Sequence, residues 1–391
     1  MSARGSACII TVVHQPLDVR IFQKQARTLA QNGWEVTLIA PCDESEQTVD
    51  GVRILGLPRA PRWRRPLNWA RALRLAVGTN ADIYHIHDPE LLLLTPLIRL
   101  WTRRPVIYDV HEDYRLSIFE KSWIPRALRH ASTALFDLGE RLLLKSTSAV
   151  VYVTPPIGLR YVSAGGTSVQ IANYAMRSQY ADDPEEERDR GAIVCVGGMT
   201  RIRGYDELFD AFALVVRELP EARLVLVGSA DGEDYGAHLR SKAERLGVAE
   251  AVVFAGKLPF EEVRRVLASA SAGALPYLPV PAHEVAFPTK LFEYMAAGLP
   301  CVCSDIPLCR EIVENAGCGI IVDARDASAT AKAILYLLQH PAEAQEMGRR
   351  GREAFLAHYT WEQEGEKLVA LYQQLAGGQR QQGGESNPAV R

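Results

Sequence analysis

The chain has 391 residues, 44 Lys and Arg against 47 Asp and Glu, and a formal net charge of −3. That length suits about two domains of ordinary size, and an apolar share of 48% lets each bury a core. The near-neutral balance excludes a chain built mainly to bind nucleic acid, and seven cysteines, an odd number set mostly in apolar strand-like runs, exclude a disulfide framework and read as free thiols of a reducing compartment.

The opening run MSARGSACIITVV carries one Arg and a short apolar stretch that continues into a helical pattern, so no signal peptide is expected. Ala7–Val13 reads as a strand, and Arg20–Gln31 as a helix with Phe22, Ala26, Leu29 and Ala30 as its apolar stripe and Gly33 beyond its end. Strand-like runs follow at Glu35–Ala40, Val52–Leu57, Asp82–His87, Pro105–His111 and Ala149–Thr154, with helical patterns at Asn68–Val77, Glu90–Leu100 and Pro125–Lys145. Leu91–Trp101, the longest apolar stretch, is too short to span a bilayer and contains Pro96 and Arg99. The expected location is the cytoplasm, with peripheral contact to the inner membrane face left open.

Periodicity breaks down between Asn173 and Arg190, where DDPEEERDR is charged and aperiodic. Strands then return at Ala192–Gly198, Arg223–Gly228, Val252–Gly256, Ala274–Leu278, Pro300–Asp305 and Gly319–Val322, again separated by helical patterns. Alternation of this kind predicts right-handed β-α-β units and parallel sheets, hence an α/β protein of two doubly wound, Rossmann-like domains facing a central cleft. The expected division is 1–175, a linker over 176–190, a second domain over 191–360, a closing helix over 361–376 that packs back on the first domain, and a disordered tail over 377–391. In such sheets ligands sit outside the carboxyl ends of the strands, so functional residues should lie on turns that open helices.

The segment FPTKLFEYMAAGLP, Phe287–Pro300, meets that condition. Thr289 is placed to cap a helix beginning at Lys290, and Gly298-Leu-Pro stops it. Free N–H groups at a helix start bind phosphate, Lys290 adds positive charge, and Glu293 on the same face can accept hydrogen bonds from vicinal hydroxyls. The plain alternative is an ordinary helix with an exposed Lys–Glu pair. Gly197-Gly-Met-Thr-Arg-Ile-Arg-Gly204 likewise follows a strand and opens a helix; its glycines allow close backbone approach, and Arg201 and Arg203 can neutralise a diphosphate.

These segments, with RLVLVGS, FAGKLPFEEV, ALPYLP and CVCSD, resemble the retaining glycosyltransferases of family four, which have the GT-B fold. The resemblance covers most of the second domain and, more weakly, the first. It implies that Glu293 binds the ribose of a nucleotide, that Phe287, Pro288, Thr289, Lys290 and Leu291 meet the pyrophosphate and sugar, and that Arg203, at the family's Lys position, serves the leaving group; Gly198 stands where the family has an Arg, and Arg201 is the candidate to replace it from a different point of the turn. It implies that Lys257 and Leu258 lie beside the base. The family carries a second Glu eight positions before Glu293; here that position is Val285, and Glu284, one residue further back, either fills the role through a shifted loop or the role is lost.

In the first domain, His111 ends PVIYDVH at the position resembling the family's histidine near the donor sugar, and His14, Asp18 and Arg20 in HQPLDVRIF form the acceptor-side candidates. Arg20 at a helix start could meet a phosphate or an acidic acceptor, or pair with Asp18. His85 and His87 share a face of one strand, a spacing that invites a metal, yet the family has a similar run without one. The resemblance implies transfer from a nucleotide-diphosphate sugar to a hydroxyl acceptor with retention, with no cofactor and no required metal, in bacterial polysaccharide, glycolipid or glycoside synthesis. Basic and aromatic residues in RAPRWRRPLNWARALRL and RLWTRRP suit an anionic membrane surface and a lipid-linked acceptor, or simply a solvated basic face. The rival readings are a nucleotide-sugar epimerase of the same fold, a metal-dependent hydrolase built on the His-x-His run, and a binding relative without catalysis.

Overall fold

The computed structural model describes residues 4–120, 124–162, 166–180 and 191–384. The chain divides into two compact units, Met1–Asn173 with Glu362–Arg391, and Tyr174–Trp361. The expected linker falls mostly outside the described residues; Arg177–Tyr180, just before that gap, is a short 3-10 turn.

The first unit is built on β1 (Gly5–Ile10), β2 (Trp34–Pro41), β3 (Glu46–Val49), β4 (Val52–Leu57), β5 (Ile83–Ile86), β6 (Val106–Val110), β7 (Ala149–Tyr152) and β8 (Thr167–Gln170). They form one sheet in the order β3-β4-β2-β1-β5-β6-β7-β8, parallel except for the β3–β4 pair. Its central strands are buried on both faces, which is why IYHI and VIYDV are nearly continuous apolar runs. The edge strands EQTV and TSVQ are polar and short, which blunts both edges.

The chain steps from β1 through β2 to β4 in one direction, then from β1's other neighbour β5 through β6 and β7 to β8 in the opposite one. The carboxyl ends of β1 and β5 therefore flank a switch point, where the flanking loops diverge and leave a crevice.

The second unit repeats the principle with β9 (Ala192–Val196), β10 (Arg223–Val227), β11 (Val252–Gly256), β12 (Ala272–Leu275), β13 (Cys301–Ser304) and β14 (Gly319–Val322), in the order β11-β10-β9-β12-β13-β14. All its pairs are parallel. Its switch point lies between β9 and β12. One face is filled by the helices Tyr205–Glu218 and Ala327–Gln339, whose Leu208, Phe209, Phe212, Ile334 and Leu337 join a single apolar core.

Three local expectations are corrected. Arg20–Gln31 begins as a π-helix, Val19–Ala26, in which the Asp18 carbonyl accepts from both Phe22 and Gln23 N–H. This wider turn rotates Arg20, Lys24 and Gln25 inward, where a 3.6-residue period would have exposed them. The helix Thr289–Ala296 starts one residue earlier than expected, with Pro288 at its N-cap and no side-chain cap, so Thr289 does not cap it. Past Gly377, where a disordered tail was expected, the backbone of the helix Trp361–Gly384 continues to Gly384. That helix belongs to the first unit from Glu362 onward. Tyr372 is fully buried with its hydroxyl 2.9 Å from His85 Nδ1, and Glu364 accepts the Ala172 N–H at 2.8 Å.

Candidate functional site

At the β9–β12 switch point the polypeptide is arranged around its own backbone. The turn after β9 runs Gly197–Gly204 and enters the helix Tyr205–Glu218. Gly204 has φ +68°, and a Cβ there would stand 1.8 Å from the Pro276 carbonyl oxygen; Gly228 has φ +144°, and its Cβ would stand 2.0 Å from the Gly197 oxygen. Only glycine allows these approaches. The Arg203 guanidinium folds back over this turn, donating from Nη1 to the Gly198 carbonyl at 2.9 Å and lying 5.4 Å from the Tyr277 ring centroid.

Tyr277 in turn sits 4.9 Å from the His283 ring, whose Nδ1 is 2.8 Å from the Leu278 carbonyl. Burial, more than any other influence, lowers the His283 pKa. The two strand ends are clamped by Tyr294, whose hydroxyl accepts from Val196 N–H at 3.0 Å and donates to the Ala274 carbonyl at 3.3 Å. Tyr294 lies on the helix Thr289–Ala296, so the clamp holds that helix against the turn. At its first turn Lys290 Nζ and Glu293 Oε1 are 2.6 Å apart and only partly exposed. Phe287 packs its ring with Tyr174 and Phe292, anchoring the loop that leads in.

Other residues singled out from sequence lie less centrally. Arg201 is exposed, its guanidinium 4.9 Å above the Tyr235 ring on the helix after β10. Lys257 is exposed just past Gly256, which ends β11, and Leu258 is half-buried beside it. Glu284 ends the short helix Pro281–Glu284 with an exposed side chain that has no ion pair among the described residues; Val285 follows it, half-buried. Leu291 is fully buried and faces the core.

The β1–β5 switch point has the opposite character. Asp88, just past β5, is buried and accepts Val12 N–H at 2.6 Å and the Thr11 hydroxyl at 3.0 Å, which stops β1 at Ile10. His14 stands between two carboxylates, 3.6 Å from Asp18 and 3.6 Å from Asp88. Burial alone would lower its pKa, but the hydrogen bond and charge of Asp18, with Asp88 and Asp109, outweigh burial and raise it. Asp18 caps the π-helix through Arg20 and Ile21 N–H, both at 2.9 Å. Burial pushes its carboxyl up, yet the His14 and backbone hydrogen bonds hold it below its usual value.

Beneath this pair lies a fully buried hub. Asp109 on β6 accepts Arg20 Nη2 at 2.9 and 3.1 Å and Gln25 Nε2 at 2.5 Å. His111 Nδ1 is 3.2 Å from Asp109, His85 Nε2 3.7 Å and His87 Nδ1 3.8 Å. The rings form a file: His85 stacks on His87 at 4.6 Å, His87 on His111 at 5.2 Å, and His14 meets His111 edge-on at 5.5 Å. Burial pushes His85 down to about 4 and His87 well below its usual value, so both are neutral. Burial also works against the Asp109 carboxylate, but Arg20 and His111 hold its pKa well below the usual range.

Arg20, expected on the acceptor side, lies inside this hub. The residue is 6% exposed and its guanidinium is paired with Asp109 rather than Asp18, because the π-turn directs it inward. His85, His87 and Asp109 are the groups that could hold a metal among the described residues, with ligand atoms within 4.8 Å of one another. Both Asp109 oxygens, however, already face a fixed cation and an amide donor. A metal ion there would have to displace Arg20 or add charge to a site that already balances.

Two family models match the sequence: the Glycosyl transferase 4-like domain over residues 19–173 and the Glycosyl transferases group 1 over residues 190–340. The chain belongs to the group 1 glycosyltransferases. Among this enzyme's relatives is a GDP-mannose-dependent α-(1-6)-phosphatidylinositol monomannoside mannosyltransferase of Mycolicibacterium smegmatis, 29% identical over 86% of this chain and 90% of the relative. A phosphatidyl-myo-inositol mannosyltransferase of Mycobacterium leprae is 24% identical over 90% of this chain and 91% of the relative. Among solved structures, sucrose-phosphate synthase of Thermosynechococcus elongatus superimposes with a TM-score of 0.78 at 19% identity, covering 96% of this chain and all of that one. The fold of this glycosyltransferase is GT-B.

Sequence reasoning missed Tyr277, His283, Tyr294 and Asp109. A lone Asp inside the apolar run VIYDV was the available signal for the last, since an unpaired buried carboxylate is too costly to keep. The three ring residues carry no local signal; only the pairing of β9 with β12 brings them to the turn.

Proposed function

We propose that this glycosyltransferase moves a hexosyl group, mannose in the first instance, from a nucleoside diphosphate to a hydroxyl of an inositol-containing, lipid-linked acceptor, with retention at the anomeric carbon. The observation that carries the reading is the end of β9, where Arg203 overlies a glycine turn and Tyr294 ties in the helix that bears the Lys290–Glu293 pair. Such a site offers two cations and free backbone N–H groups to a diphosphate, and one carboxylate to a ribose. The names of the relatives support mannose and an inositol lipid.

In the reaction the bond from the anomeric carbon to the diphosphate oxygen breaks, and the leaving group keeps the electron pair. Arg203, Lys290, Arg201 and the N–H groups at the start of the helix Thr289–Ala296 are proposed to stabilise the charge that develops there. The acceptor hydroxyl bonds to the same face of the sugar, and a donor phosphate oxygen takes its proton. His111 is proposed to meet the transferred sugar, with His14 and Asp18 toward the acceptor. Glu284 is the carboxylate proposed to replace the one missing at Val285. No step in this scheme calls on a metal.

The test is transfer of radiolabel from GDP-mannose, UDP-glucose and UDP-N-acetylglucosamine to phosphatidylinositol, its mannoside and free inositol. Label in the lipid from GDP-mannose, lost in Glu293→Ala, is the expected result. Turnover of a donor without any acceptor would point to an epimerase or hydrolase, and nucleotide binding with no turnover to a binding protein; either ends the proposal.

A further inference from the structure

The connections β4→β5, β5→β6, β6→β7 and β7→β8 all advance the same way across the first sheet. Right-handed crossover therefore puts their helices, Arg65–Thr79, Thr95–Thr102, Arg129–Leu144 and Pro155–Val162, on one face as a single layer. Side chains stitch it together. Thr95 and Ser146 hydroxyls are 2.5 Å apart, Arg99 donates to Ser148 at 2.8 Å, and the Tyr161 hydroxyl donates to Glu140 at 2.9 Å.

This layer is inside out. The helix Arg129–Leu144 buries Glu140, while Leu135, Leu138 and Leu142 point to solvent, Leu135 at 73% exposure. Their spacing of three and four makes one apolar stripe, extended backward by Leu128, and an amphipathic helix normally turns such a stripe to the core. Trp63 (72% exposed) and Trp101 stand out from the neighbouring helices in the same way. Of the nineteen large apolar side chains exposed among the described residues, twelve lie on this layer or on the turns that lead into its helices, and only three lie in the whole second unit.

The same segments, 62–79, 89–104, 126–145 and 155–162, contain thirteen Arg or Lys and three carboxylates, in a chain whose net charge is −3. The carboxylates are themselves occupied: Glu90 by Arg65, Asp137 by Arg160 and Arg141, Glu140 by Arg160. Arg62, Arg64, Arg71, Arg74 and Arg99 are exposed among the apolar groups. No helix among the described residues is long and apolar enough to cross a membrane.

We propose that this helical layer docks flat on an anionic lipid bilayer, its leucines and tryptophans entering the acyl boundary and its arginines meeting the headgroups. Exposed leucine interleaved with arginine is what such a surface rewards. Nucleic acid would use the arginines and leave the leucines in water. A second copy of this strongly basic face would be repelled by its own charge. The inference does not depend on the donor reading, because vesicle binding needs no nucleotide sugar.

The test is cosedimentation of the full chain with vesicles of phosphatidylcholine alone and of phosphatidylcholine with phosphatidylglycerol. Two double variants, Leu135→Asp/Leu138→Asp and Arg71→Glu/Arg74→Glu, report the two contributions separately. Strong binding to the anionic vesicles only, weakened about tenfold or more in each double variant and by salt, is expected. Equal binding to both vesicles, or unchanged binding in both variants, overturns the proposal. So does a dimer in sedimentation velocity that the leucine variant dissociates, which would assign the face to a second copy. Binding of duplex DNA in preference to vesicles overturns it too. Circular dichroism melting of each variant separates lost docking from lost fold.

Discussion

The two units of this glycosyltransferase share a topology and use it in opposite ways. At the β9–β12 switch point the chain offers backbone, a folded-back Arg203 and a half-exposed Lys290–Glu293 pair. At the β1–β5 switch point it buries Asp109 and Arg20 and lines up four imidazoles above them. The first arrangement keeps charge near solvent, where it is open to recruitment by a ligand. The second spends its charge internally, so what it offers is a fixed field and fixed rings. The surfaces diverge as well: among its described residues the second unit exposes three large apolar side chains, whereas the first leaves a leucine-rich helical layer exposed. A doubly wound sheet therefore specifies where a site will be, and the side chains at the strand ends decide whether it is responsive or rigid.

The comparison is broken most directly at Asp109. If the hub is a fixed structural charge, Asp109→Asn should cost about 3–5 kcal/mol in the urea unfolding of the first unit, because Arg20 is left buried without its counter-charge. Replacing both partners, Asp109→Leu with Arg20→Met, should recover much of that loss. A cost below about 1 kcal/mol for Asp109→Asn would mean that water reaches the hub and that the site is not rigid.

How far the sequence foretold this difference depends on the range of the interactions. The strands of both sheets are legible, because buried parallel strands are continuous apolar runs. The edge strands EQTV and TSVQ are not, since half-exposed polar edges share no pattern with the core. The helix Pro155–Val162, opening on two prolines, escapes the same kind of reading. The glycine turn and the helix after it announce themselves locally, through residues close in sequence. The Arg20–Asp109 pair does not: its members are 89 residues apart, and the π-turn that joins them breaks the period by which helices are read. Seven-residue spacing of Leu128, Leu135 and Leu142 is visible in sequence, but it predicts a buried stripe, and the structure turns it outward.

A second way to sharpen the contrast is at Arg203. As a recruitable cation it should matter to turnover and little to folding. Arg203→Ala should lower the rate of transfer about 10²–10³-fold, the range for losing one preorganised charge donor, with a melting curve near that of the parent chain. Loss of fold and activity together would instead make Arg203, bonded to the Gly198 carbonyl, a structural brace like Arg20.

The smallest expected effect lies at the boundary between rigid and responsive, in the file of imidazoles. His85 is pushed down to about 4 by burial, so the unfolded chain takes up its proton first as pH falls below about 6.5. Its contribution to stability is complete above that pH and is lost on the way down to about 4. His14 has the opposite sign. Its folded pKa is raised by Asp18 and Asp88 over the effect of burial, so its contribution is complete below the unfolded value and disappears as pH rises through the folded one. His14→Asn should therefore lower stability on the acid side and leave the alkaline side unchanged. His14 is about a third exposed, and solvent screening limits the difference to a few tenths of a kcal/mol. Urea midpoints of parent and variant between about pH 5 and about pH 9 would detect it. A constant offset would show that His14 acts by packing against His111 and not by charge, leaving the outermost ring of the file as rigid as buried His85 and His87.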